Sequence, residues 1–92
     1  MINLELNHTL INNFNRDGFI ILEKFIEIDF VKNLKERFEP LFRGKFETGI
    51  EPDEWNWKFD KDPIDVTRQI CNGWKSDTLI KNFVCHRIIG KA

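Results

Sequence analysis

Between Lys45 and Asp65 the chain shows neither a helical nor a strand period, yet it carries Trp55 and Trp57. Gly49, Pro52 and Pro63 interrupt any regular element there. Irregular stretches longer than about 12 to 15 residues are uncommon in compact domains, and two tryptophans bring too much apolar surface for a disordered linker. The segment is therefore expected to form a long loop lying over a groove or over another part of the fold, held there by its indoles. Whatever the rest of the chain builds must present a surface to receive it.

The flanking segments are periodic. Leu10, Ile11 and Phe14 make the apolar stripe of a short helix from Thr9 to Arg16, with Asn7 or Thr9 as N-cap and Asp17-Gly18 as its end. Phe19-Ile20-Ile21-Leu22 is a continuous apolar run, which predicts a short strand buried on both faces. Glu27 and Asp29 then open a longer helix. Its apolar face holds Val31, Leu34, Phe38 and Leu41, and Lys32, Lys35, Glu36 and Arg37 take the other. Pro40 is expected to bend or restart that helix before Arg43-Gly44 ends it.

Beyond the loop, Val66, Arg68 and Ile70 alternate with Thr67, Gln69 and Cys71, which predicts a second strand closed by Asn72-Gly73. Ser76 or Asp77 then caps a helix bearing Leu79, Ile80, Phe83 and Val84. A last apolar segment opens at Ile88-Ile89, and the pattern breaks off at Ala92 with one turn begun, which reads as a truncation. The expected fold class is α+β: one mainly helical segment over residues 1–92, with one or two short strands.

Charge excludes some functions. Fourteen basic and 15 acidic residues are spread along the 92-residue chain, so there is no electrostatic footprint for nucleic acid or for an anionic membrane. The longest apolar run is too short to span a bilayer and the N-terminus lacks the pattern of a signal peptide, so the expected location is cytoplasmic. Nine Phe and three Trp in so short a chain exceed what one small core can hide. A second surface is expected to cover them, supplied by more chain, by a partner, or by self-association through exposed aromatics.

Chemistry-bearing patterns are sparse. Cys71 and Cys85 are too far apart for a redox or zinc pair and are expected to be small buried thiols. Cys85 and His86 are adjacent, but neighbours on a helix diverge by about 100°, so adjacency makes no dyad; His86 is expected at the surface beside a core cysteine. No phosphate-binding glycine loop is present, and the acidic residues between Glu51 and Asp65 lack calcium-loop spacing. A mononuclear iron site needs two histidines and a carboxylate, and neither His8 nor His86 is followed two positions on by Asp or Glu. No catalytic, cofactor-binding or metal residue is assigned.

Three ordered stretches carry a family likeness: Phe14-Asn15-Arg16-Asp17-Gly18-Phe19-Ile20-Ile21-Leu22, Phe38-Glu39-Pro40-Leu41-Phe42-Arg43-Gly44, and Thr67 through Asp77. With Glu47 to Trp57 between the last two, the chain from about Leu10 onward resembles the start of phytanoyl-CoA dioxygenase-like proteins. The resemblance implies a non-haem iron(II), 2-oxoglutarate-dependent dioxygenase that hydroxylates a small organic or acyl substrate. It also implies a double-stranded β-helix (jelly-roll) body whose iron and 2-oxoglutarate ligands lie downstream. This chain is then expected to be an N-terminal flank whose partner is the missing C-terminal barrel, and to be inactive alone. Arg68, Trp55, Trp57 and Trp74 are the residues that would line the substrate mouth of such a barrel. The competing expectation is that the tryptophans seal the loop and Arg68 pairs with an acid such as Asp65. The alternative function is a free-standing small interaction module that uses an exposed aromatic face.

Overall fold

The structure, a computed structural model, describes Ile2 and residues 4–92. Among the described residues four helices follow in order, α1 (His8–Asp17), α2 (Ile28–Phe42), α3 (Thr78–Val84) and α4 (Arg87–Lys91), with a 3-10 turn at Gly73–Lys75 before α3. Among the described residues there is no strand, only isolated antiparallel bridges joining Ile2 to Ile26 and Asp53 to Cys71. The α+β expectation is corrected accordingly to a helical chain with long loops. The reason is physical: a strand exists by its ladder, and alternation alone does not supply a neighbour. Phe19–Leu22 finds none, so Phe19 and Ile21, expected buried, are 62% and 75% exposed. Val66–Cys71 is tied to Asp53 only through Cys71.

The helix ends follow from local chemistry. The Asn7 side chain accepts a hydrogen bond from the Leu10 N–H at 2.9 Å, and α1 closes on Gly18 at φ 80°, whose N–H reaches the Phe14 carbonyl at 2.8 Å. In α2 the helix runs through Pro40, whose missing N–H falls in the last turn. It ends in a Schellman closure, the Gly44 N–H donating to the Leu41 carbonyl at 3.1 Å and the Lys45 N–H to the Pro40 carbonyl at 2.9 Å. Gly44 sits at φ 89°, and a Cβ there would lie 2.8 Å from the Trp55 ring. Turn and tryptophan both require glycine at that point.

The core is small. Leu34 and Leu41 of α2 meet Ile80 of α3, ringed by Phe30, Phe46, Ile70, Leu79 and Phe83. Phe38, placed on the same face by spacing, stays exposed. The loop arches over the C-terminal end of α2: the Trp55 indole N–H donates to the Phe42 carbonyl at 2.9 Å, and its ring meets Phe46 edge-on. Trp57 is 6% exposed and donates to the Pro63 carbonyl at 2.9 Å, which folds the loop back on itself. The second surface expected for the loop is thus α2 of the same chain.

A polar hub joins loop, α2 and α3. Ser76, wholly buried, donates to the Ile50 carbonyl at 2.6 Å, and Thr48 donates to the Lys75 carbonyl at 2.6 Å. Asp77 N-caps α3 by accepting from the Leu79 and Ile80 amides at 2.9 and 3.1 Å. Glu47 accepts from the Thr78 amide at 3.0 Å, from the Thr78 hydroxyl, and from Arg37 at 2.8 Å. No residue of α1 belongs to the core, and the molecule is long, 50 × 24 × 22 Å with a radius of gyration of 16.4 Å. A compact chain of this length would have a radius near 12 Å.

Ser76→Ala is expected to lower stability by about 1 to 3 kcal/mol, because the Ile50 carbonyl loses its buried donor. Urea titration followed by tryptophan fluorescence measures it, and an unchanged midpoint would show that the hub carries no stability.

Candidate functional site

The four residues singled out from sequence do not form one site. Trp57 and Arg68 come together: the Arg68 guanidinium lies 4.8 Å from the Trp57 ring centre and 4.9 Å from that of Phe42. Trp55 stacks against the Lys58 ammonium at 3.5 Å. Trp74 stands apart in the 3-10 turn, 36% exposed, its indole donating to Asn72 at 3.2 Å.

Arg68 pairs with Glu39, at 3.2 Å, and not with Asp65. Glu39 is shared with Arg43 at 2.9 Å, and Arg43 in turn lies 4.0 Å from the Phe59 ring centre. A ladder results, Trp57 and Phe42 against Arg68, then Glu39, then Arg43 and Phe59, across the seam between loop and α2. The Arg43 and Arg68 guanidiniums hold the Glu39 carboxyl below the usual carboxylate range. A cleft of about 390 Å³ opens beside the ladder, bordered by Trp57, Arg68, Glu54 and Asp62. Sequence reading missed Glu39, Phe42 and Arg43; the i, i+4 spacing of Glu39 and Arg43 on α2 was the available signal.

A second cleft, about 670 Å³, lies between α2 and the hub and is bordered by Asn33, Glu36, Arg37, Lys45, Glu47 and Asp77. Its acids are already committed. Thr78 first, then Arg37, lowers the Glu47 carboxyl. Near the bridge, Asn72 and then Lys75 do the same to Asp53, at 2.7 and 2.9 Å.

The cysteines depart from expectation. Cys85 is exposed and Cys71 half-buried, while the neighbouring His86 is half-buried and caps α4, its Nδ1 accepting from the Ile88 N–H at 3.2 Å. Helix α3 places its apolar stripe at Leu79, Ile80 and Phe83, which turns Cys85 outward. The Cys71 thiol donates to Glu54 at 3.0 Å, and that carboxylate pushes its pKa up, away from a nucleophilic thiolate. Among the described residues no three His, Cys, Asp or Glu side chains converge as metal ligands. No helix of the described residues is long and apolar enough to cross a membrane. Comparison with protein-family models, curated proteins and solved structures gives no significant match to the chain.

Two outcomes follow from these contacts. Glu39, Glu47 and Asp53 all have pKa values lowered by folding. Their stabilisation is full above the unfolded carboxylate range, near pH 4, and disappears as pH falls through the lowered folded values. The melting temperature should accordingly fall between about pH 5 and about pH 3, and Glu47→Gln should flatten that fall. Calorimetry across the range checks it; an unaltered profile for the variant would remove Glu47 from the account. Separately, iodoacetamide at neutral pH should label Cys85 well before Cys71, as read by peptide mass spectrometry, and Glu54→Gln should narrow the gap.

Proposed function

We propose that this chain is the N-terminal flank of an iron(II)- and 2-oxoglutarate-dependent oxygenase of the phytanoyl-CoA dioxygenase-like family, acting in the cytoplasm on a small organic or acyl substrate. The chemistry belongs to a barrel that the flank docks against, and the flank supplies no metal ligand. One observation carries the reading beyond the sequence resemblance. The accessible surface is 7191 Å², whereas a compact monomer of this mass would expose about 5,600 Å². Large apolar side chains stand bare at Ile11 and Phe14 of α1, at Phe19 and Ile21, and at Ile28, with others along α2, the loop and α3. Apolar side chains left bare in this number mark an interaction surface.

The likeness at Phe38–Gly44 and Thr67–Asp77 also falls on residues that meet in space: Leu41 contacts Gly73, and Glu39 pairs with Arg68. In this reading Arg68 and Trp57 face the mouth of the barrel from their shared cleft. A second reading, a free-standing interaction module, is favoured by one feature: among the described residues no buried side-chain polar atom lacks a partner. Such closure lets the body from α2 to α3 fold without a barrel.

The reading frame downstream of Ala92 decides between them. A His-x-Asp or His-x-Glu pair followed by a distal His is expected there, and a frame without them sinks the oxygenase reading. Iron(II) and 2-oxoglutarate added to the 92-residue chain should leave its melting temperature unchanged. A clear upward shift would contradict the assignment of all metal ligands to the barrel.

A further inference from the structure

Asn72-Gly73 is the one place in the chain where an asparagine precedes a glycine. With no Cβ on the second residue, its backbone nitrogen can approach the preceding side chain, which makes such pairs prone to lose the side-chain amide by intramolecular attack. Asn72 is exposed and sits in the left-handed region at φ 57°, holding the bend between the Asp53–Cys71 bridge and the 3-10 turn. Its side chain is fixed at both ends. The Trp74 indole N–H donates to Oδ1 at 3.2 Å, and Nδ2 donates to an Asp53 carboxylate oxygen at 2.7 Å. The Lys75 ammonium donates to that same oxygen at 2.9 Å. Among the described residues the Gly73 N–H has no hydrogen-bond acceptor, so its proton is open to removal by solvent.

We propose that Asn72 is a site of spontaneous deamidation, promoted by these contacts, whose products open the Asp53–Cys71 bridge. The deprotonated Gly73 nitrogen attacks Cγ of Asn72. As the N–Cγ bond forms, negative charge passes to Oδ1, where the Trp74 N–H stabilises it. The Cγ–Nδ2 bond then breaks and ammonia leaves, taking its additional proton from Lys75 beside the shared Asp53 oxygen. Water opens the cyclic imide, giving aspartate where it adds at Cγ and isoaspartate where it adds at the backbone carbonyl carbon. The net change is one water gained and one ammonia lost, without oxidation or reduction. Either product sets a new carboxylate against Asp53, whose own carboxyl is held below the usual range by the Asn72 amide and then by Lys75. Isoaspartate also inserts a methylene into the backbone between the Cys71 bridge and Ser76. The loop then cannot keep both Asp53 on Cys71 and the Ile50 carbonyl on Ser76.

The site does not rest on the oxygenase reading, since every group it uses lies in this chain. Incubated at mildly alkaline pH and followed by peptide mass spectrometry, the native chain should deamidate at Asn72 before any other asparagine. It should do so at least as fast as the same chain unfolded in urea. Trp74→Phe should slow the native rate about fivefold, the worth of one hydrogen bond, and leave the rate in urea unchanged. Trp74 lies outside the core and is 36% exposed, so the variant should keep the far-UV circular dichroism of the parent. Hydrogen exchange at the Asp53 and Cys71 amides should quicken about tenfold once Asn72 is converted. A native rate well below the rate in urea overturns the inference, because the same contacts would then protect Asn72. So does a native rate that Trp74→Phe leaves unchanged. Unaltered exchange at Asp53 and Cys71 after conversion overturns the opening of the bridge.

Discussion

The folded body depends on the segment Ser76-Asp77. Ser76 ties the loop to the start of α3 through the Ile50 carbonyl, and Asp77 caps the same helix one residue later. Glu47 and Arg37 then connect that helix start to α2, with Arg37 also 3.6 Å from Asp77. Without these bonds, Leu34, Leu41 and Ile80 would be three aliphatic side chains on two helices with little to orient them. An apolar core of that size leaves packing geometry underdetermined, and directional bonds made in partly buried surroundings supply the missing specification.

The tryptophans play the complementary part. Trp55 satisfies the last-turn carbonyl at Phe42 while filling the space above Gly44, so one side chain ends α2 and anchors the loop together. Trp57 is buried largely by its own loop, with Pro63 and the Arg68 guanidinium around it. The aromatic surplus therefore divides. Part of it is consumed in giving an irregular segment something to pack on, and the remainder stands exposed at Phe14 of α1, at Phe19, and at Phe38, Phe59 and Trp74.

What was legible in the sequence was local. Asn7, Gly18, Gly44 and Asp77 act where capping chemistry places them, because a cap is decided within about one helical turn. Phe19–Leu22 reads as a strand buried on both faces, and neither part holds: Phe19 and Ile21 are exposed, and only Ile20 and Leu22 are half-buried. A strand requires a second segment to pair with, and a continuous apolar run does not supply one. The ladder of Arg68, Glu39 and Arg43 was half visible, in the i, i+4 pair of α2 but not in the partner 29 residues away. The bond between Cys71 and Glu54 had no local signal, because it arises only where Asp53 and Cys71 bridge.

The two halves of the chain are consequently unlike in kind. From α2 to α3 the buried side-chain polar atoms find their partners within the chain, and the tryptophans seal what the aliphatics leave open. From α1 to Leu22 a stripe of Leu10, Ile11 and Phe14 with Ile20 and Leu22 borders an open groove and Phe19 and Ile21 stand bare, so the same physical chemistry that closes one half leaves the other with apolar surface uncovered.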